Sequence, residues 1–145
     1  MNKYFIIIVL VVIILAGGLL YRFALLPEEF RPVVTGEVRA LTIVAVKDQW
    51  RFMPEIIEAK QGDKIILTVV NEDDYDHGLA IDAFGISQRM PALSTIKIEF
   101  IVTKAGEFPL YCSVPCGDGV VLGEKRTHFD MLGKLHVRSI ISEAK

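Results

Sequence analysis

The 145-residue chain is poor in the features that mark several common protein classes. It has two cysteines, one tryptophan and three histidines, and no acidic residue before Pro27. Its net charge of −2 leaves no basic stripe of the kind that binds nucleic acid, so we expect no nucleic-acid partner. A disordered chain is excluded because 52% of the residues are hydrophobic. A single long apolar run excludes a multi-pass membrane protein.

That apolar run lies at the N-terminus. The 18 residues from Tyr4 to Tyr21 carry no charge, and Phe23 to Leu26 extend the run beyond Arg22. About 20 apolar residues span the hydrocarbon core of a bilayer as a helix, and Tyr and Arg suit its interfaces. We therefore predict an uncleaved transmembrane anchor over residues 1–26. A cleaved signal peptide is the alternative, although its apolar region would be shorter.

Both interpretations place the body of the chain outside the cytoplasm. Only three residues precede the run, so we expect the N-terminus to stay in the cytoplasm. The predicted location is the cell membrane, single-pass, with the C-terminal domain on the extracytoplasmic (periplasmic or outer) side. Residues 27–37, which include Pro27, Pro32 and Gly36, are interpreted as a linker.

The body, residues 38–145, has the pattern of an all-β domain. No segment after Pro27 shows an apolar stripe of period 3.6 with helix caps. Several short strands separated by Gly, Pro and Asp turns predict a sandwich or barrel. The predicted strands are Val38–Val46, Lys64–Asn71, Leu79–Ile81, Ile96–Val102, Glu107–Cys112 and Lys134–Val137.

Residues with soft or nitrogenous ligand atoms gather at strand ends and in one loop of the second half. They are His77, Cys112, Cys116, His128 and Met131. Taken singly, a loop histidine is usually solvated, a methionine usually packs in a core, and two extracytoplasmic cysteines usually form a disulfide. Together, thiolate, imidazole and thioether form a ligand set suited to copper.

The second cysteine changes the expected number of metal ions. Cys112 and Cys116 are separated by three residues, and Pro115 stiffens the turn between them. Two thiolates could bridge two copper ions, with one histidine terminal on each. Met131 and a backbone carbonyl near Val114 would then be the weak ligands.

Three segments resemble subunit II of haem-copper cytochrome oxidases: WRFMPEIIEAKQGDKIILTVVNEDDYDHGLAI, GEFPLYCSVPCG and HFDMLGKLHV. They match that family's F-x-P-x-x-I, Q-G-D, D-x-x-H-G, C-S-x-x-C-G and H-x-x-M-x-G elements. The resemblance extends from Val38 to Val137, and the anchor resembles that of the one-helix members. It implies a cupredoxin Greek-key β-sandwich with a binuclear CuA centre of two copper ions. The implied ligands are His77, Cys112, Val114 (carbonyl), Cys116, His128 and Met131.

The resemblance also implies a role. The chain would accept electrons from cytochrome c or a similar small redox protein and pass them to haem in a partner subunit I. Alone it is expected to catalyse nothing, because no acid–base pair or Ser-His-Asp pattern stands out. Trp50 lies where the family often has an aromatic residue, and core packing and electron entry both remain open for it.

One spacing departs from the family. Eleven residues, Gly117 to Thr127, separate Cys116 from His128, where the family has three. Three glycines and four charged residues predict an exposed, flexible insertion. Such an insertion lets His128 reach the metal but does not preorganise His128 as a ligand. A mononuclear cupredoxin with an altered site therefore stays open. So do an extracytoplasmic copper carrier or assembly protein, and a structural module held by a disulfide or by zinc.

Two further groups of residues are given weaker interpretations. His136 alternates with Leu135 and Val137, so we predict that it is exposed and is not a ligand. The acidic cluster, defined as Glu72, Asp73, Asp74 and Asp76, is interpreted as a solvated loop, with steering of a basic donor as the alternative.

Overall fold

A computed structural model describes residues 3–25 and 36–140, which fall into two units, Met1–Pro32 and Val33–Lys145. In the first unit, helix α1 spans Lys3–Leu20 and continues as a π-helical turn, Tyr21–Leu25. Eighteen helical residues rise about 27 Å, so α1 is long and apolar enough to cross a membrane and can serve as an anchor. Leu26 and most of the predicted linker, residues 27–37, lie outside the described residues.

The second unit consists of β-strands within residues 36–140. Two short 3₁₀ turns, Asp82–Phe84 and His128–Asp130, interrupt them. The strands are β1 (Val38–Ala45), β2 (Phe52–Met53), β3 (Ile56–Lys60), β4 (Lys64–Asn71), β5 (His77–Ile81), β6 (Ile86–Met90), β7 (Thr95–Ile101), β8 (Gly106–Tyr111), β9 (Asp118–Val121), β10 (Glu124–Thr127) and β11 (Leu132–Arg138).

Two sheets form a sandwich. One has the order β2-β1-β4-β7 and the other β3-β11-β8-β5-β6, while β9 and β10 form a separate two-stranded ribbon. β1 pairs in parallel with β4, and β11 pairs in parallel with β3. The prediction of an all-β sandwich after an N-terminal helix is confirmed.

The core lies between the two sheets and follows the period-two pattern of the sequence. In β4, Ile65, Leu67 and Val69 are fully buried, and they alternate with partly exposed neighbours. The other sheet contributes Leu110 and Leu135, which are also fully buried. Each such side chain stabilises the fold by roughly 1.5–3 kcal/mol through its burial.

The sheet brings the candidate ligands to one end of the sandwich. β5 begins at His77, and β8 ends at Tyr111, one residue before Cys112. The two strands pair antiparallel, with Ala80 opposite Tyr111. The beginning of β5 and the end of β8 therefore lie side by side, which places His77 beside Cys112.

The insertion after Cys116 is a β-hairpin, and the expectation that it would not preorganise His128 is wrong. Asp118 pairs with Thr127 at its base. Just outside that pair, the His128 N–H donates to the Gly117 carbonyl at 3.0 Å. Because the hairpin closes on itself, Gly117 and His128 are direct neighbours.

Candidate metal centre

Two free thiols lie at the centre of the candidate site. The Sγ atoms of Cys112 and Cys116 are 3.6 Å apart, and both side chains are buried. A disulfide bond would require about 2.05 Å. The Cys112 thiol also lies 3.2 Å from the Val114 carbonyl oxygen, so this carbonyl faces the same pocket.

Each thiol faces a different histidine. The Nδ1 atom of His77 lies 3.7 Å from Cys112 Sγ, and the Nδ1 atom of His128 lies 3.6 Å from Cys116 Sγ. The donor atoms of His77, Cys112 and Cys116 lie within 4.8 Å of one another, and His128 is outside that group. The arrangement is thus a row of four donors: imidazole, thiol, thiol, imidazole.

Met131 belongs to the same region through its backbone. Its side chain is fully buried, its carbonyl accepts the Cys112 N–H at 3.1 Å, and its N–H donates to the His128 carbonyl at 3.3 Å. A capping box between Thr127 and Asp130 holds the 3₁₀ turn that carries His128. All six sequence-predicted site residues therefore lie at one end of the sandwich.

The two thiols differ in acidity because they share a hydrogen bond. Against the effect of burial, the hydrogen bond with Cys116 lowers the pKa of Cys112 well below its usual range. The same hydrogen bond and burial raise the pKa of Cys116. Burial lowers the pKa of His77, but hydrogen bonds with Cys112 and Asp73 more than offset this and raise it.

Gly78 allows the cysteine loop to approach β5. A Cβ atom at Gly78 would lie 2.9 Å from the Val114 nitrogen and 3.0 Å from the Ser113 nitrogen, distances that side chains do not tolerate. The Gly78 N–H also donates to Cys112 Sγ at 3.3 Å. The glycine of the D-x-x-H-G element therefore has a steric reason and a hydrogen-bonding reason.

Trp50 packs beneath the hairpin. It is 9% exposed, and its indole N–H donates to the Cys116 carbonyl at 3.1 Å. Its ring stacks on Tyr75 at 6.1 Å between centroids, and Gly119 of β9 lies so close that a Cβ atom there would overlap the indole. Core packing, one of the two interpretations left open for Trp50, is therefore observed.

The acidic cluster is not uniformly a solvated loop. Asp73 is fully buried, with its Oδ2 2.6 Å from His77 Nε2. Asp74 is exposed and pairs with Lys47, and Asp76 pairs with Arg89. For Asp73 the solvated-loop interpretation is wrong, because this carboxylate lies against a candidate ligand. The only signal in the sequence was its spacing four residues before His77.

His136 lies away from the four donors, in β11. It is half-buried rather than exposed, between the inward-facing Leu135 and Val137, and it pairs across the sheet with Glu107. It is not among the residues whose donor atoms form the group around the thiols.

Comparison with known proteins identifies the family. The profile of the Cupredoxin-like domain family matches residues 23–122, more than half of the chain. The chain belongs to this family. The cupredoxin is a copper-binding, electron-transfer fold, and the buried His-Cys-Cys group is a donor set that suits it. The profile match ends at the turn of the hairpin, so His128 and Met131 lie beyond it.

Solved structures share the cupredoxin fold at low sequence identity. Auracyanin from the photosynthetic bacterium Roseiflexus castenholzii is 13% identical, with a TM-score of 0.55 over 70% of this chain and 98% of its own. A copper nitrite reductase from Nitrosomonas europaea is 18% identical, with a TM-score of 0.55 over 76% of this chain and 44% of its own. A heme-copper terminal oxidase dimer is 16% identical, with a TM-score of 0.52 over 93% of this chain and 96% of the matched chain.

Proposed function

We propose that this cupredoxin is the electron-entry subunit, subunit II-like, of a membrane haem-copper oxidase, with a binuclear CuA centre. The observation that carries the proposal is the row of four donors. Two thiols lie 3.6 Å apart at its middle, and each faces its own histidine at 3.6–3.7 Å. A single ion would favour both imidazoles converging on one point. Paired thiols with one imidazole at each end favour two ions that share the sulfurs.

The chemistry of the donors fits copper. Cys112, Cys116, His77 and His128 would hold the copper, the histidines through Nδ1, and Met131 and the Val114 carbonyl would complete the ligand set. Bound there, copper would supply reversible one-electron transfer. The protein's part is to hold the donors on β5, β8 and the hairpin base, so that little rearrangement accompanies a change of charge.

The surroundings of His128 suit a docking donor. His128 is half-buried, and its neighbour Phe129 is 81% exposed, while Leu122 at the hairpin turn is fully exposed. An open cleft of about 300 Å³ beside His128 and Phe129 is lined by Tyr111, Cys112, Ser113, His128, Phe129 and Leu132. The exposed apolar side chains of Leu122 and Phe129 are called the apolar rim. We propose that cytochrome c or a similar small redox protein docks on this apolar rim and delivers electrons through the His128 side.

The proposed partner that receives the electrons is a haem-bearing subunit I in the same membrane. Helix α1 supports this, since by length and composition it can anchor the chain. The match to a chain of the heme-copper terminal oxidase covers 93% of this chain and so extends beyond the sandwich. The proposed organisation is an anchor at 1–26, a linker at 27–37 and the copper domain at 38–145, with the domain on the extracytoplasmic side.

Electron acceptance can be tested directly. The full chain in detergent is loaded with copper and mixed with reduced cytochrome c, and the haem absorbance is followed by stopped flow. We expect stoichiometric oxidation of the cytochrome by the loaded chain and none by the metal-free chain. Transfer of copper from the loaded chain to a competing metal-free cupredoxin, without cytochrome oxidation, would instead identify a copper carrier.

A further inference from the structure

Asp73 is a buried carboxylate outside the proposed ligand set. Its Oδ2 lies 2.6 Å from His77 Nε2, and its Oδ1 accepts the backbone N–H of Asp48 at 2.6 Å. Asp73 and His77 are both fully buried. An ionised carboxylate in such a place is costly unless both its oxygens have strong partners, and here both do.

The backbone of Asp73 is fixed as firmly as its side chain. Its N–H donates to the Asn71 side-chain oxygen at 3.0 Å, and its carbonyl accepts the Leu93 N–H at 2.9 Å. The Asn71 amide nitrogen in turn donates to the carbonyl oxygens of Tyr75, Met90 and Pro91. These hydrogen bonds fix the backbone on both sides of Asp73. The position of its carboxylate is therefore fixed as well, and it can orient the His77 ring.

That geometry decides which ring nitrogen of His77 carries the proton. An ionised carboxylate only accepts hydrogen bonds, so the Nε2 that faces it must be the N–H. In the neutral imidazole the lone pair is then on Nδ1. Nδ1 is the nitrogen that faces Cys112 Sγ at 3.7 Å.

We propose that Asp73 is a positioning residue that holds His77 in the Nε2–H tautomer and directs its Nδ1 lone pair toward the metal beside Cys112. The same carboxylate ties His77 to the loop that carries Trp50, through the Asp48 N–H. The proposal rests on the proposed copper site for the metal, but the tautomer belongs to the metal-free chain as well.

Asparagine has the same shape as aspartate but cannot accept a hydrogen bond at both positions. It has one accepting oxygen and one donating NH₂ group, whereas Asp48 N–H and His77 Nε2–H both require an acceptor. In the D73N variant, an amide with its oxygen toward Asp48 would donate to His77 Nε2 and move the ring proton to Nδ1. An amide with its oxygen toward His77 would instead direct its NH₂ group at the Asp48 N–H, two donors in contact.

The test compares D73N with D74N, the same substitution at the exposed neighbouring position. Nitrogen NMR of the reduced, metal-free full chain, at a pH where the imidazole is neutral, locates the ring proton of His77. The copper-loaded chains are then titrated with a copper chelator while their EPR spectra are recorded. We expect Nε2–H in the wild type and in D74N, and Nδ1–H in D73N, which should lose copper to the chelator about 10–100-fold more readily.

The outcomes separate this proposal from the proposed function. Nδ1–H at His77 in the wild-type chain overturns the role of Asp73 even if D73N does not fold. A folded D73N with wild-type tautomer and wild-type copper retention also overturns it. Nε2–H at His77 in a wild-type chain that binds no copper supports the role of Asp73 in fixing the tautomer and overturns the proposed function.

Discussion

The two histidines that face the thiols lie in opposite surroundings. His77 is fully buried at the start of β5, its far nitrogen on a buried carboxylate and its ring 5.1 Å from Tyr75. His128 is half-buried on a 3₁₀ turn, and its ring packs at 5.1 Å on the exposed Phe129. Among the described residues, no carboxylate lies within hydrogen-bonding distance of the His128 ring.

This contrast indicates that the two ends of the candidate metal centre have different roles. The buried end is fixed by strands and by a polar network, so a change there disturbs both fold and site. The exposed end is built from a turn, and the hairpin that precedes this turn closes directly beside His128. We infer that the buried end sets the ligand geometry and the exposed end provides access for a donor.

The largest expected effect comes from removing each histidine in turn from the metal-free chain. H77A leaves Asp73 Oδ2 unpaired in a fully buried position, so we expect a loss of about 3–5 kcal/mol in the free energy of unfolding. H128A removes a half-exposed ring and should cost about 0.5 kcal/mol or less. Urea denaturation followed by circular dichroism measures both.

The pair serves as its own control, because both variants remove one imidazole that faces one thiol. Equal losses for H77A and H128A would contradict the division into a buried and an exposed end.

A second prediction concerns the hairpin. G119A places a methyl group against the Trp50 indole, and such overpacking should destabilise the chain by about 1–3 kcal/mol. Trp50 is the chain's single tryptophan, so its fluorescence reports the disturbance directly. V120A, at a position 72% exposed, is the matched control and should change neither quantity. Unchanged emission in a fully stable G119A would show that the hairpin does not rest on Trp50.

A third prediction tests the end of the sandwich opposite the site. Asp63 precedes β4, which spans roughly 26 Å before the acidic cluster begins. Burial raises the pKa of Asp63, but hydrogen bonds from Lys60 N–H and Arg39 more than offset this and lower it. Its stabilising contribution is therefore present above about pH 4, the unfolded value, and is lost as pH falls through the lower folded pKa.

The variant D63N isolates this contribution. At pH 7 it should be less stable than the wild type by about 1–3 kcal/mol, and the difference should shrink as the solution is acidified. Its copper spectra should match those of the wild type, unlike those of D73N. A constant stability difference down to pH 2 would contradict the assignment, since acidification would then leave the Asp63 contribution intact.

The smallest effect on stability is expected at the hairpin turn. Leu122 is fully exposed, so L122S should change the free energy of unfolding by about 0.5 kcal/mol or less. If the apolar rim docks the donor, the same change should slow cytochrome c oxidation several-fold in stopped flow. V38S, at an exposed valine that begins β1, is the control and should leave the rate unchanged. Equal rates for L122S and wild type would place the docking surface elsewhere.

The sequence predicted the strands in which buried and exposed side chains alternate. It also predicted the candidate ligands that lie together at one end of the sandwich. The period-two pattern of β4 is enough to orient Ile65 and its neighbours inward, because only one face of that strand meets the other sheet. The soft donors could be grouped because their chemistry is rare. These features depend on local pattern and on ligand type, which a sequence displays.

The hairpin and Asp73 depend on tertiary structure and were not predictable in the same way. The hairpin turns at Leu122 and Gly123, both with positive φ, and leucine is not a residue that signals such a turn. Asp73 has the same side chain as Asp74 and Asp76, and only packing decides which of the three is buried against His77. Short strands such as β2 and β6 were missed because neither shows a buried alternation long enough to recognise.

The most direct test of the proposed centre is a copper count on the reconstituted full chain, taken together with its EPR spectrum. Two copper ions per chain that share one unpaired electron are the expected result, since the two thiols lie between two histidines. One copper per chain with a mononuclear blue-copper spectrum, or a colourless protein with a Cys112–Cys116 disulfide, would contradict it.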